Sequence, residues 1–183
     1  MRTRRSTFVL AAAAVAITQA VLTGCSKGTE TAASKLPERT CFDVFDRSDL
    51  GPLVGNGEQV NVSGPADMQL TAVRRGATCS VDVDGKDRFL ASATRQPLEQ
   101  SFFWNAQLIK PPADPLPLGD KGIVYDTGAR VLLVCKGSQD SFQVELSLSG
   151  STDQVEKGES RPLFTRLMKK FVEAGRQQTR CGV

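Results

Sequence analysis

Four cysteines, Cys41, Cys79, Cys135 and Cys181, are scattered singly through residues 41–183. No two form a close C-x-x-C pair, so they lack the spacing of a structural zinc site. What they can form is set by the redox compartment in which they fold, and the first 24 residues decide that compartment. Residues 1–5 carry Arg2, Arg4 and Arg5 without an acid, and residues 8–22 are apolar except for Thr18 and Gln19. A membrane-spanning helix needs about 20 apolar residues. This shorter, diluted run has instead the n-region and h-region of an export signal over residues 1–24. The rest of the chain is then expected to fold under oxidising conditions, where an even number of cysteines reads as two disulfides. Three connectivities are open. The expected one joins Cys41 to Cys79 and Cys135 to Cys181, since each bridge then ties a terminal segment to a nearby hairpin. Each closes a loop of about 40 residues, worth roughly 4 kcal/mol by chain entropy.

The apolar run ends in Leu22-Thr23-Gly24-Cys25, which looks like a bacterial lipobox. In that motif a diacylglyceryl group is joined to the cysteine sulfur and the chain is cut in front of it. Cys25 is therefore the expected lipidation site and the membrane the first expected partner, two acyl chains being enough for stable anchoring. Arg4-Arg5 near Phe8 also fits twin-arginine export. Loss of Arg2, Arg4 and Arg5 with the signal balances Lys plus Arg, 23 in the whole chain, against 20 Asp plus Glu. A neutral mature chain has no electrostatic case for nucleic acid.

Residues 26–40, SKGTETAASKLPERT, are small and polar without apolar periodicity, and residues 25–40 read as a lipidated tether. The folded unit is expected over 41–183. In CFDVFDRSDLGPLVG, Asp46 or Ser48 can cap a short helix carrying Leu50, Leu53 and Val54 and stopped by Gly55, although Gly51 and Pro52 weaken it. Strand signals follow at 58–62 and 68–74. A clearer hairpin runs from 78–83 through Asp84-Gly85 into 88–94, and a second from 130–136 through 137–140 into 142–148. In the last segment Leu163, Phe164, Leu167, Met168, Phe171 and Val172 share one half of a helical wheel, with Arg166, Lys169, Lys170, Glu173 and Arg176 opposite. Ser160 is the expected N-cap and Gly175 the expected stop. The fold expected is a single small α+β domain, an antiparallel sheet packed against a C-terminal helix and a short N-terminal helix.

Between the hairpins lies QPLEQSFFWNAQLIKPPADPLPLGDKG. Phe102, Phe103 and Trp104 cannot all face one side of a regular strand, and Pro111, Pro112, Pro115 and Pro117 stiffen the loop after them. Rigid segments lose little entropy on binding, so 102–119 is the expected recognition surface. The chemistry elsewhere is sparse. The chain has no histidine, which removes the Ser-His-Asp and Cys-His arrangements and imidazole metal ligands. Asp82 with Asp84, and Asp43, Asp46 and Asp49, read as solvated faces, and no phosphate-cradling or calcium loop occurs. A non-enzymatic binding domain without metal or cofactor is expected, its partner an envelope protein or a small ligand. The alternatives are a small hydrolase using two carboxylates and a purely structural envelope component.

The lipobox, the linker, "CFDVFDRSDLGPLVG", "GATCSVDVDGKDRFLA", "LLVCKGSQDSFQVELSLS" and the closing helix ending at Cys181 together resemble uncharacterised actinobacterial cell-envelope lipoproteins of a domain-of-unknown-function class. The resemblance implies a small α+β domain on the outer face of the cytoplasmic membrane. It transfers no catalytic residues.

Overall fold

The computed structural model describes residues 31–101, 112–137, 139–149, 155 and 158–179. In chain order the elements are α1 (Ala32–Lys35), β1 (Arg39–Thr40), β2 (Phe45–Asp46), α2 (Arg47–Val54), β3 (Val60–Ser63), β4 (Gly76–Val83), β5 (Lys86–Pro97), a 3-10 turn (Leu98–Gln100), β6 (Asp114–Pro115), β7 (Lys121–Tyr125), β8 (Gly128–Val134), β9 (Asp140–Leu148) and α3 (Ser160–Thr179).

Two hairpins build the sheet. β4 and β5 alternate apolar and polar residues and meet at Asp84 and Gly85, which have φ of 53° and 73°, the paired positive values that a two-residue turn needs to follow strand twist. β8 and β9 pair from Gly128↔Ser147 to Val134↔Ser141, and β9 lies against β5 from Phe89↔Leu148 to Pro97↔Asp140. Adding β3 outside β4 and β7 and β6 outside β8 gives seven strands in the order β3-β4-β5-β9-β8-β7-β6, all neighbours antiparallel. Because side chains alternate across a strand, one face collects Ala77, Cys79, Val81 and Val83 of β4, Phe89, Ala91 and Ala93 of β5, Phe142, Val144 and Leu146 of β9 and Ala129, Val131 and Leu133 of β8, all buried.

α2 and α3 cover that face. Leu163, Phe164, Leu167, Met168, Phe171 and Val172 of α3 are all buried, each such side chain contributing about 1.5–3 kcal/mol of transfer free energy. α2 adds Leu50, Leu53 and Val54. Its N-cap is Asp46, whose N–H donates to Asp49 Oδ2 at 2.9 Å, and Gly55 ends it at φ 67°. The architecture is thus α+β, a single small domain with an antiparallel sheet, a C-terminal helix and a short helix near the N-terminus.

The structure corrects several local expectations. Residues 31–40 are folded, so the tether does not reach Cys41: Ala32 and Leu36 are 0% and 1% exposed, and Ala32 N–H donates to Gly55 O. Two small apolar residues among polar ones gave too little periodicity to mark that helix. Residues 68–74 form a loop rather than a strand, because side chains take the backbone donors that a strand would need. Asp67 accepts from Gln69 N–H, and Thr71 Oγ1 accepts from Val73 and Arg74 N–H. The N-cap of α3 is Glu159, whose carbonyl accepts from Leu163 N–H, and Ser160 is the first helical residue. Gly175 does not stop the helix. It lies inside α3, where a Cβ would stand 3.0 Å from the Phe142 ring, so the missing side chain lets helix and sheet approach closely.

Candidate functional site

Cys41, Phe42 and Asp43 all have left-handed backbone, with φ of 47°, 61° and 59°. Each L-residue so placed costs roughly 1–2 kcal/mol, and three in succession persist only where the surroundings over-determine them. Here each is held separately. Cys41 is bonded to Cys79 of β4, with Cα atoms 5.3 Å apart. The Phe42 ring is 3% exposed and stacks on Phe171 of α3 at 5.7 Å. The Asp43 carbonyl accepts from Arg39 Nη2, and Val44 N–H closes the turn onto Cys41 O at 3.1 Å.

The left-handed turn forms one wall of a cleft of about 560 Å³. Lys170, Glu173, Ala174, Gln177 and Gln178 of α3 line it as well, together with Ala66. A smaller hollow of about 220 Å³ shares Arg39, Phe42, Asp43 and Ala66 with it and reaches Val62, Gly64 and the disulfide. The 64–74 loop is fastened to the helix by Met68 N–H donating to Gln178 Oε1 at 2.9 Å. At Gly64, with φ 129°, a Cβ would lie 2.6 Å from Thr78 O, so only glycine admits this path.

An ionic network adjoins the cleft through Arg39, Asp43 and Lys170. Arg39 Nη1 donates to Asp46 Oδ1 at 3.0 Å and Nε to Asp43 Oδ1 at 3.3 Å. Lys170 Nζ reaches Asp46 Oδ2 at 2.9 Å and Asp49 Oδ2 at 2.6 Å. Asp46 therefore bridges both cations, and hydrogen bonds from Lys170 and then Arg39 hold its carboxyl below the ordinary 3.8. The same contacts, led by Asp49, raise Lys170. Asp43, Asp46 and Asp49, expected as a solvated face, are one partner set in this network.

Of the expected disulfide cysteines, Cys41 and Cys79 are joined as predicted. Cys135 is disulfide-bonded, while Cys25 and Cys181 lie outside the described residues. So do Phe102, Phe103, Trp104 and Pro111 of the expected recognition segment. Its described part runs along the far edge of the sheet. Pro112, Pro115 and Pro117 are exposed there and Leu116 is buried. Arg161 of α3 latches this stretch by donating to Pro112 O at 2.8 Å and pairing with Asp114 and Asp126. Proline has no N–H to offer an incoming strand, so these residues protect an edge, and they are at the opposite end of the strand order from the cleft.

Sequence reasoning missed the cleft because nothing in Cys-Phe-Asp signals three positive φ values. The helical spacing of Asp43, Asp46 and Asp49 was the available clue, with Lys170 as its cation. The sheet face away from the helices carries Arg130 paired with Glu145 at 2.6 Å and Tyr125, whose hydroxyl burial pushes up. Asp82 there faces Asp87 rather than Asp84. A hydrogen bond with Asp87 raises Asp82 above its ordinary value, while Asp84 instead accepts from Glu58 and Gln59 N–H.

Among the described residues, no cluster of three or more His, Cys, Asp or Glu could hold a metal ion, and no helix is long and apolar enough to cross a membrane. The cleft is lined by the charged Arg39, Asp43, Lys170 and Glu173, the amides of Gln177 and Gln178, and the smaller apolar surface of Phe42, Val44, Ala66 and Ala174. No protein-family model, curated protein or solved structure matches the chain.

Proposed function

We propose that the protein is a membrane-anchored cell-envelope lipoprotein whose folded part is a non-enzymatic binding or interaction domain. The observation that carries the binding reading is the cleft beside Cys41–Phe42–Asp43. Backbone strain of this kind collects at ligand clamps and recognition sites, and here the disulfide, an aromatic stack and an arginine all act to maintain it. Anchoring is supported by Leu-Thr-Gly-Cys25 behind a short basic-then-apolar segment. A cysteine pair oxidised in the core is consistent with folding outside the cytoplasm. The lack of histidine in the chain supports the non-enzymatic reading.

The test uses full-length protein from native membranes. Mass spectrometry should find diacylglyceryl-modified Cys25 as the mature N-terminus; release into the medium with an unmodified thiol would overturn the anchor. Cross-linking in those membranes should capture a partner that is lost in Asp43→Ala and Gln177→Ala without a matching fall in Tm. An unchanged set of partners in both variants would remove the cleft as the binding site. Hydrolysis of an envelope polymer that disappears in Asp82→Asn would favour the carboxylate enzyme instead.

A further inference from the structure

The charges of the cleft do not balance where a ligand would meet them. Arg39 and Lys170 are its two cations, and Asp43 and Glu173 its two carboxylates. Both cations are engaged by acids that do not line the cleft. Lys170 Nζ bonds Asp46 Oδ2 at 2.9 Å and Asp49 Oδ2 at 2.6 Å, and Arg39 Nη1 donates to Asp46 Oδ1 at 3.0 Å. Asp49 is the leading influence that raises Lys170, and Asp46 the leading one that raises Arg39.

The two lining carboxylates are left underpaired. Asp43, whose side chain is 73% exposed, has one side-chain partner among the described residues, Arg39 Nε at the long distance of 3.3 Å. Glu173 accepts only from the neutral Gln177 amide, at 3.2 Å. Four carboxylates thus stand around two cations, and a cleft with an excess of one sign concentrates ions of the other. Two carboxylates and two amides are a thin donor set for calcium, which takes about 6–8 oxygen ligands.

The adjoining hollow of about 220 Å³ narrows the choice further. It shares Asp43 with the cleft and adds Val62, Gly64, Pro65 and the Cys41–Cys79 bridge. A carboxylate that belongs to both a charged cleft and a largely hydrocarbon hollow favours a cation carried on an apolar stem over a bare, strongly hydrated one.

We propose that the cleft binds an alkylammonium ion, with its charge between Asp43 and Glu173 and its hydrocarbon stem in the hollow. The proposal rests on the reading of the cleft as the binding site and names what that site takes. The same chemistry is carried by a free aliphatic amine and by the lysine side chain of a partner protein.

The test is calorimetric titration of the full-length protein with n-pentylamine, and with n-pentanol as the same stem without the charge. The amine should bind at least about tenfold more tightly than the alcohol. Asp43→Asn and Glu173→Gln should each weaken it about threefold, and together about tenfold, without a matching fall in Tm. Asp49→Asn should weaken it as well, because Lys170 is then less neutralised and offsets the lining carboxylates. Glu58→Gln, at an exposed acid away from the cleft, should not. N-acetyl-lysine amide separates the two sources: affinity equal to that of n-pentylamine assigns a partner's lysine, and affinity weaker by about tenfold or more assigns a free amine. Equal affinity for amine and alcohol, amine binding that survives the double substitution of Asp43 and Glu173, or displacement of the amine by an equal concentration of calcium chloride would each overturn the proposal. If it is overturned while the cross-linked partner in membranes still depends on Asp43 and Gln177, the ligand class is wrong and the cleft remains the binding site. If that dependence is absent too, the cleft reading goes with it.

Discussion

Asp46 and Asp82 lie at half-buried positions, and their neighbours push them in opposite directions. Asp46 takes hydrogen bonds from Lys170 and Arg39 and is depressed, whereas Asp82 shares a cross-strand pair with Asp87 and is raised. A depressed carboxyl contributes stability that is present above its unfolded value, near 3.8, and is lost as pH falls through the folded one. A raised carboxyl does the reverse: its contribution is full below the unfolded value and is lost as pH rises through the folded one. Asp46→Asn should therefore lower Tm at pH 7, with the difference closing as the native chain is titrated below about pH 4. Asp82→Asn should raise Tm at pH 7 by removing one of two facing like charges, and that gain should shrink in acid. Thermal melts from pH 3 to pH 7 decide it. Shifts of the same sign in both variants at pH 7 would mean that the network beside the cleft and the pair on the outer sheet face are not what sets these groups.

At the scale of elements, α3 both covers the sheet and supports the left-handed turn. Phe171 is fully buried, stacked on Phe42 and tilted 59° against Phe45 at 5.7 Å. Phe171→Ala should cost about 3–5 kcal/mol and loosen the turn with it, whereas Lys170→Ala, whose ion pairs are about half exposed, should cost under about 1 kcal/mol. Urea titration of the two variants separates packing from charge. Equal losses would make the network, and not the stack, the support of the turn. The same distinction explains what was legible beforehand. α3 and the two hairpins were readable because one repeating pattern specifies each of them: apolar residues on half a wheel, or alternation bounded by Asp84-Gly85. β7 was not, since Lys121–Tyr125 has too few residues to establish a period and depends on β8 for its register. The 68–74 loop was misread because Met68 and Leu70 alternate like a strand, while the hydrogen bonds from Asp67 and Thr71 that override the alternation need the folded geometry to be seen. The cleft was the least legible part. It arises where segments more than 100 residues apart in sequence, such as Asp46 and Lys170, meet through contacts that no local pattern encodes.

For the whole molecule, the folding of residues 31–40 changes how the domain would sit. Thr31 bridges Asn56 and Ala32 is buried, so only residues 26–30 separate the described fold from Cys25. Six peptide steps from Cys25 to Thr31 span at most about 20 Å when fully extended, less than the diameter of a small domain. If Cys25 carries the lipid, the corner formed by α1 and α2 is then held at the headgroup layer, and the anchor restricts orientation as well as position. A 16-residue tether, as residues 25–40 alone suggested, would leave the domain free to turn, because a flexible chain of that length has a root-mean-square span of roughly 20–25 Å and a far longer reach. The difference is measurable. A donor dye on Ser34→Cys, exposed on α1, should transfer energy efficiently to an acceptor on lipid headgroups in vesicles carrying the full-length protein. Inserting about 20 glycine and serine residues after Lys27 should weaken that transfer while leaving the protein bound to the vesicles. Equal transfer with and without the insertion would mean that contacts of the domain itself, rather than the shortness of the tether, hold this corner at the membrane.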